Sequence, residues 1–220
     1  VCSSDLALHA AVRAENIKAG TLINMPSAVL EIKGDANKIL INKLEAKLNG
    51  SNIKGSGNIA FNKKNFTNST ISINTQLKRL NLKKTLAAFM EKVPVDGVID
   101  INANVKGTIA KPEGEIKIAR PIFYGNNEIR DIAVKLSSPE DNHYKINAGA
   151  RIEKFKPEVD IDVKQSGGVW SYRVDTKPLD INSAIETQIP SMAGIAKGFA
   201  KISVIGNTRE NSNININATA

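Results

Sequence analysis

Few side chains in this sequence could carry chemistry, and their spacing argues against it. The 220 residues include two histidines, His9 and His143, and one cysteine, Cys2. Neither histidine has a Cys, Asp or Glu at metal-ligand spacing, and both fall near turns or ends, so solvated surface histidines are the expectation. Asp160 and Asp162 alternate on one strand face, where they could bind a cation or act in glycoside chemistry. A solvated strand face explains them more simply. Gly50-Ser51-Asn52-Ile53-Lys54-Gly55-Ser56-Gly57 superficially resembles a phosphate loop but lacks the Lys-Ser/Thr after the second glycine. A hairpin turn leading into a strand is expected there. Trp170 sits beside Gly167-Gly168 and near Tyr172, a grouping that ordinary packing at a strand end accounts for. Asn-x-Ser/Thr matches at Asn65, Asn68 and Asn217 are expected by chance in so Asn-rich a chain. No enzyme, cofactor or metal is expected.

The elements that would position these residues are strands. Period-two alternation, the mark of half-buried strands, recurs almost throughout. It is clearest in Ile99 to Lys106, Ile146 to Ile152 and Val159 to Lys164. It returns in Leu44 to Leu48, Glu115 to Ile118, Ile132 to Leu136 and Ile214 to Ala218. Turn signals separate the runs at Lys33-Gly34-Asp35, Asn49-Gly50-Ser51, Lys111 to Gly114, Gly125-Asn126-Asn127 and Ser138 to Asp141. Such short connections favour an antiparallel meander. Two stretches break the alternation. Leu82 to Lys92 places Leu82, Leu86, Phe89 and Met90 at helical spacing before Pro94, and Ile181 to Ile189, extending at most to 198, is a second helix candidate before Pro190. The fold expected is therefore mostly β: one long, curved antiparallel sheet forming an open, elongated trough, with one or two short helices.

Charge and chain ends narrow the reading. The chain carries 30 Lys+Arg against 22 Asp+Glu. The cations are scattered among acids on many strands and form no compact stripe with stacking aromatics, which disfavours nucleic acid. Mild attraction to anionic lipid headgroups is compatible with that balance. No stretch approaches the roughly 18 apolar residues of a membrane-spanning helix. Val1 to Leu6 resembles the translated end of a sequencing adapter and is set aside from fold reasoning, leaving 7–220 as one repetitive β domain. The absent initiating Met and a final strand pattern running to Ala220 suggest a fragment, with the rest of its own chain expected at both sheet ends.

An internal repeat begins near residues 80 and 179. The first copy reads Leu80-Asn81-Leu82, a helical run, Val93-Pro94, Gly97 to Ile101, then Val105-Lys106-Gly107-Thr108. The second reads Leu179-Asp180-Ile181, a helical run, Ile189-Pro190, Gly198 to Ile202, then Val204-Ile205-Gly206-Asn207-Thr208. With the turn Pro112-Glu113-Gly114 and the strand Ile129 to Leu136, this pattern resembles the TamB family and its wider AsmA-like relatives. The resemblance covers roughly residues 29 to 220. It implies a β-taco, apolar inside and polar outside, in the periplasm of a double-membraned bacterium, the full-length protein being anchored in the inner membrane. It further implies phospholipid transport toward the outer membrane, in support of outer-membrane biogenesis, and partnership with an outer-membrane assembly barrel of the Omp85 type.

The alternation also names the lining of such a trough. Ile99, Ile101, Ala103, Val105, Ile116, Ile118, Ile132, Val134, Ile146, Ala148, Ala150, Ile152, Val159, Ile161 and Val163 are expected on one face, available to phospholipid acyl chains. Asp100, Lys117, Lys135, Asp160 and Asp162 are expected to face water. The competing expectation is a structural or adhesive surface β-repeat protein with no lipid ligand.

Overall fold

The sequence folds, in a computed structural model, as a single open antiparallel sheet. The structure describes residues 7–19, 23–87, 90–195, 197–208 and 213–219. In chain order the strands are β1 Leu8–Ala19, β2 Ile23–Gly34, β3 Lys38–Leu48, β4 Ser51–Ala60, β5 Thr70–Asn81, β6 Val95–Asp96, β7 Val98–Thr108 and β8 Pro112–Ile118. They continue with β9 Ile122–Tyr124, β10 Asn127–Glu140, β11 His143–Ile152, β12 Glu158–Ser166, β13 Val169–Thr176, β14 Leu179–Asp180, β15 Phe199–Asn207 and β16 Asn213–Thr219. Helix α1 spans Leu82–Leu86 and α2 spans Ile181–Gln188.

Each long strand pairs with the next long strand in sequence, from β1 at one edge to β16 beyond β15 at the other. This meander follows from connections too short to cross the sheet. Because directions alternate, the connections after β1, β3, β5, β8, β11 and β13 share one rim. Both helices, β6 and β9 lie on that rim, whereas the opposite rim is made mostly of tight turns.

Three strands contain a bulge that corrects the phase of the apolar pattern. Ile41 and Leu44, Leu77 and Leu80, and Ile129 and Ile132 are each three residues apart. A regular strand would place the members of such a pair on opposite faces. In β3 an extra residue lies between Ile41, opposite Gly57, and Leu44, opposite Gly55. In β5 Lys78 and Arg79 together oppose Asp100, and in β10 Asp131 and Ile132 oppose Ala150. Arg79 and Asp131 adopt left-handed φ of 62° and 52°, as one kind of bulge requires. All six apolar residues thereby fall on the same face.

Helix α1 is shorter than the periodicity predicts, whereas α2 agrees with Ile181 to Ile189 to within one residue. Asn81 caps α1, its Oδ1 accepting the Lys84 N–H at 2.8 Å, and Asp180 caps α2 by accepting the N–H groups of Asn182 and Ser183. The Leu82 N–H donates to the Gly97 carbonyl at 2.9 Å, and the Ile181 N–H donates to that of Gly198 at 3.1 Å. Gly97 and Gly198 have φ of 140° and 125°. The two helical insertions are thus tied to the following strand by equivalent bonds. Pro190, which has no N–H, follows the end of α2. Met90 still donates to the Leu86 carbonyl, while Phe89 lies outside the described residues.

Candidate functional site: an open apolar face

Cross-strand register places the fifteen residues named above on one face. Ile99, Ile101, Ala103 and Val105 lie in β7, and Ile116 and Ile118 in β8. Ile132 and Val134 lie in β10, Ile146 to Ile152 in β11, and Val159, Ile161 and Val163 in β12. The pairs Ile101↔Ile118, Ala103↔Ile116, Val134↔Ile116, Val134↔Ala148, Ala148↔Val159 and Ile146↔Ile161 join them.

Beyond these residues a single row crosses the whole sheet. It runs Ala10, Ile32, Ile41, Gly57, Ile73, Val105, Gly114, Leu136, Ile146, Ile161, Val174 and Val204, and its register continues to Ile214 in β16. Thirteen strands contribute one residue each, and none is polar. At about 4.8 Å per strand the row is roughly 58 Å long. A parallel row, Leu30, Leu44, Gly55, Thr75, Ala103, Ile116, Val134, Ala148, Val159 and Thr176, meets only two hydroxyls. The other face reverses this chemistry. Ser56, Asn74, Asn104, Glu115, Lys135, Asn147, Asp160, Asp175 and Ser203 form a polar row of nine strands.

The apolar face is not covered. Among the described residues Ile99, at 2% exposure, is the one buried hydrophobic side chain, although 41% of the chain is hydrophobic. Of the predicted lining, Ile116 is 42% exposed and all the others except Ile99 are half-buried, while Val12 in β1 is 57% exposed. A closed core of this size would bury many of its apolar side chains. Two depressions lie on the polar face. One is lined by Asn104, Lys106, Glu115, Lys135, Asn147 and Asp160, and another by Lys54, Ser56, Asn74, Gln76, Asn102 and Asn104. These groups suit water rather than hydrocarbon.

Electrostatics on the polar face come from neighbours across and along strands. Arg173 donates to Asp175, and the Ser203 hydroxyl donates to it at 2.7 Å, holding that carboxyl down to about 2. Lys177, then Asn147, likewise lowers Asp160. Exposed pairs of this kind contribute little to stability.

Two expectations need correction. His143 is not a solvated surface residue. It is 6% exposed, with Nε2 lying 3.0 and 3.1 Å from the carboxylate oxygens of Asp162 on the adjacent strand. A partner 19 positions away is invisible to local spacing. The nearby Ser138 hydroxyl donates to the carbonyls of Glu140 and His143, so it is not aimed at the imidazole as a nucleophile would be. Asp100 is on the polar face, yet its side chain is only 17% exposed. It accepts the Arg79 N–H at 2.8 Å and pairs with Arg120 at 3.1 Å. Lys117 and Lys135 are exposed as expected, and Asp160 and Asp162 are half-exposed.

Among the described residues no three His, Cys, Asp or Glu are grouped to hold a metal ion, and no helix is long and apolar enough to cross a membrane. Comparison with protein-family models, curated proteins and solved structures returns no match to the chain.

Proposed function

We propose that this chain is a non-enzymatic lipid-bearing segment, holding phospholipid acyl chains on its apolar face and passing them along it. The observation that carries the reading is the unbroken apolar row across thirteen strands of an uncovered face. An acyl chain needs no hydrogen-bond partner, and each CH₂ it buries contributes about 0.8 kcal/mol. A sliding ligand is halted by the worst point on its path, so continuity matters more than affinity at any single position. A buried unpaired charge would be such a point. The polar row keeps the opposite face in water.

The resemblance to TamB and AsmA-like proteins adds a cellular setting. In that reading the segment belongs to a periplasmic bridge anchored in the inner membrane, carries phospholipid toward the outer membrane, and works with an assembly barrel there. The first test is lipid retention. Protein purified without detergent is extracted, and bound phospholipid is counted by mass spectrometry. Wild type and Lys117→Glu should retain lipid, while Ile161→Asp and Ile101→Arg should lose most of it. Protein that retains none in any form would leave only a structural β-repeat.

A further inference from the structure

We infer that Tyr144, Trp170 and Tyr172 form a lip on which the glycerol-ester region of a bound phospholipid rests. The inference depends on the lipid-bearing reading and adds an orientation to it. Register puts all three residues on the apolar face. Tyr144 and Tyr172 lie opposite Val163 from either side, and Trp170 lies opposite Gln165. The Tyr144 and Trp170 rings stack with centroids 6.3 Å apart and planes at 24°. The cluster sits on the turn-bearing rim, away from the helices. The backbone of Trp170 is fixed by Thr208, whose N–H donates to the Trp170 carbonyl at 2.9 Å.

The chain has one Trp and three Tyr, so three of its four amphipathic aromatics gather here. Such rings, with one apolar body and one polar tip, settle where hydrocarbon meets water. Trp170 remains 36% exposed on an uncovered face, so its ring is not consumed in closing a core. The neighbour of Tyr172 on β15 is Gly206, which places no side chain beside it. Thr176 lies six positions along β13 from Trp170, about 20 Å of apolar face along the strand. One leaflet of hydrocarbon is roughly 15 Å thick. An acyl chain laid along β13 from this lip therefore fits on the face, with its headgroup outside the rim.

Trp170 is itself the reporter. The full 220-residue chain is mixed with phosphatidylethanolamine–phosphatidylglycerol vesicles whose acyl chains are brominated near the ester or near the terminal methyl. Lipid phosphate co-eluting with the protein on size exclusion measures binding independently. Bound lipid should shift the Trp170 emission to shorter wavelength, and ester-proximal bromine should quench it more strongly. Moving the reporter to the opposite rim, with Trp170→Phe and Tyr124→Trp together, should reverse that order. Co-eluting lipid with unchanged emission, or with stronger quenching from the methyl end, would overturn the lip while leaving the lipid-bearing reading intact. No co-eluting lipid would overturn both.

Discussion

Replacing Asp100 by alanine tests how the sheet keeps its apolar phase. The Asp100 carboxylate accepts the N–H of Arg79, the left-handed residue of the β5 bulge, and that bulge returns Leu80 to the apolar face. Losing a charge-assisted bond to a backbone donor costs about 1.5–3 kcal/mol. The Arg120 contact, to a side chain 51% exposed, adds only about 0–1 kcal/mol. A loss of about 2 kcal/mol is expected, a large part of the roughly 5–15 kcal/mol typical of a folded domain. Asp100→Asn keeps an oxygen for the Arg79 N–H and should lose less than half as much. Urea unfolding followed by circular dichroism should show a lower midpoint at unchanged slope for Asp100→Ala. Arg79→Gly, which relieves the left-handed conformation, should be neutral or mildly stabilising. Equal losses in the Ala and Asn variants would refute the reasoning, because the ion pair rather than the bulge donor would then matter.

Gly57→Ala should destabilise by about 1–3 kcal/mol, since a Cβ there would lie 2.4 Å from the Ser72 carbonyl oxygen on rigid backbone. Gly55→Ala meets mainly movable side chains at 3.2 Å and should cost less when the two variants are compared by thermal melts. Asp175 has its carboxyl lowered to about 2, so its contribution is complete above its ordinary value near 3.8 and is lost as pH falls through about 2. Asp175→Asn should cost on the order of 1 kcal/mol at neutral pH after solvent screening, with a flatter acid limb in a pH series of melts. The twelve-residue edge strand β1 pairs only with β2 among the described strands and contains no proline. Its unpaired edge predicts concentration-dependent association in sedimentation velocity, and a monomer at every concentration would speak against an open edge.

The strand pattern was legible where period two ran unbroken, as in Ile99 to Lys106 and Val159 to Lys164. There alternation alone assigned both faces, because one extended strand cannot present neighbouring side chains to the same side. It was harder to read where a bulge intervened. The three-residue spacings Ile41 to Leu44 and Leu77 to Leu80 look like lapses in the pattern, yet the register shows them as the device that sustains it. His143 and Asp100 were misjudged for a related reason, since each is shielded by a group on a neighbouring strand far away in sequence. Asn81 and Asp180 hold matching positions in the two copies of the repeat, but that both cap the helix that follows is seen only in the structure. The Tyr144–Trp170 stack joins residues 26 apart through an intervening strand, which residue spacing alone does not reveal.

If phospholipid is carried as proposed, hydrocarbon occupies the apolar face and not the polar one. The most direct test is site-specific photo-crosslinking in living cells, with the probe placed at Ile161 in the thirteen-strand row or at Lys117 on the opposite face. Phospholipid adducts are expected from Ile161 and none from Lys117. Equal labelling at the two positions, or none at either, would contradict the proposal.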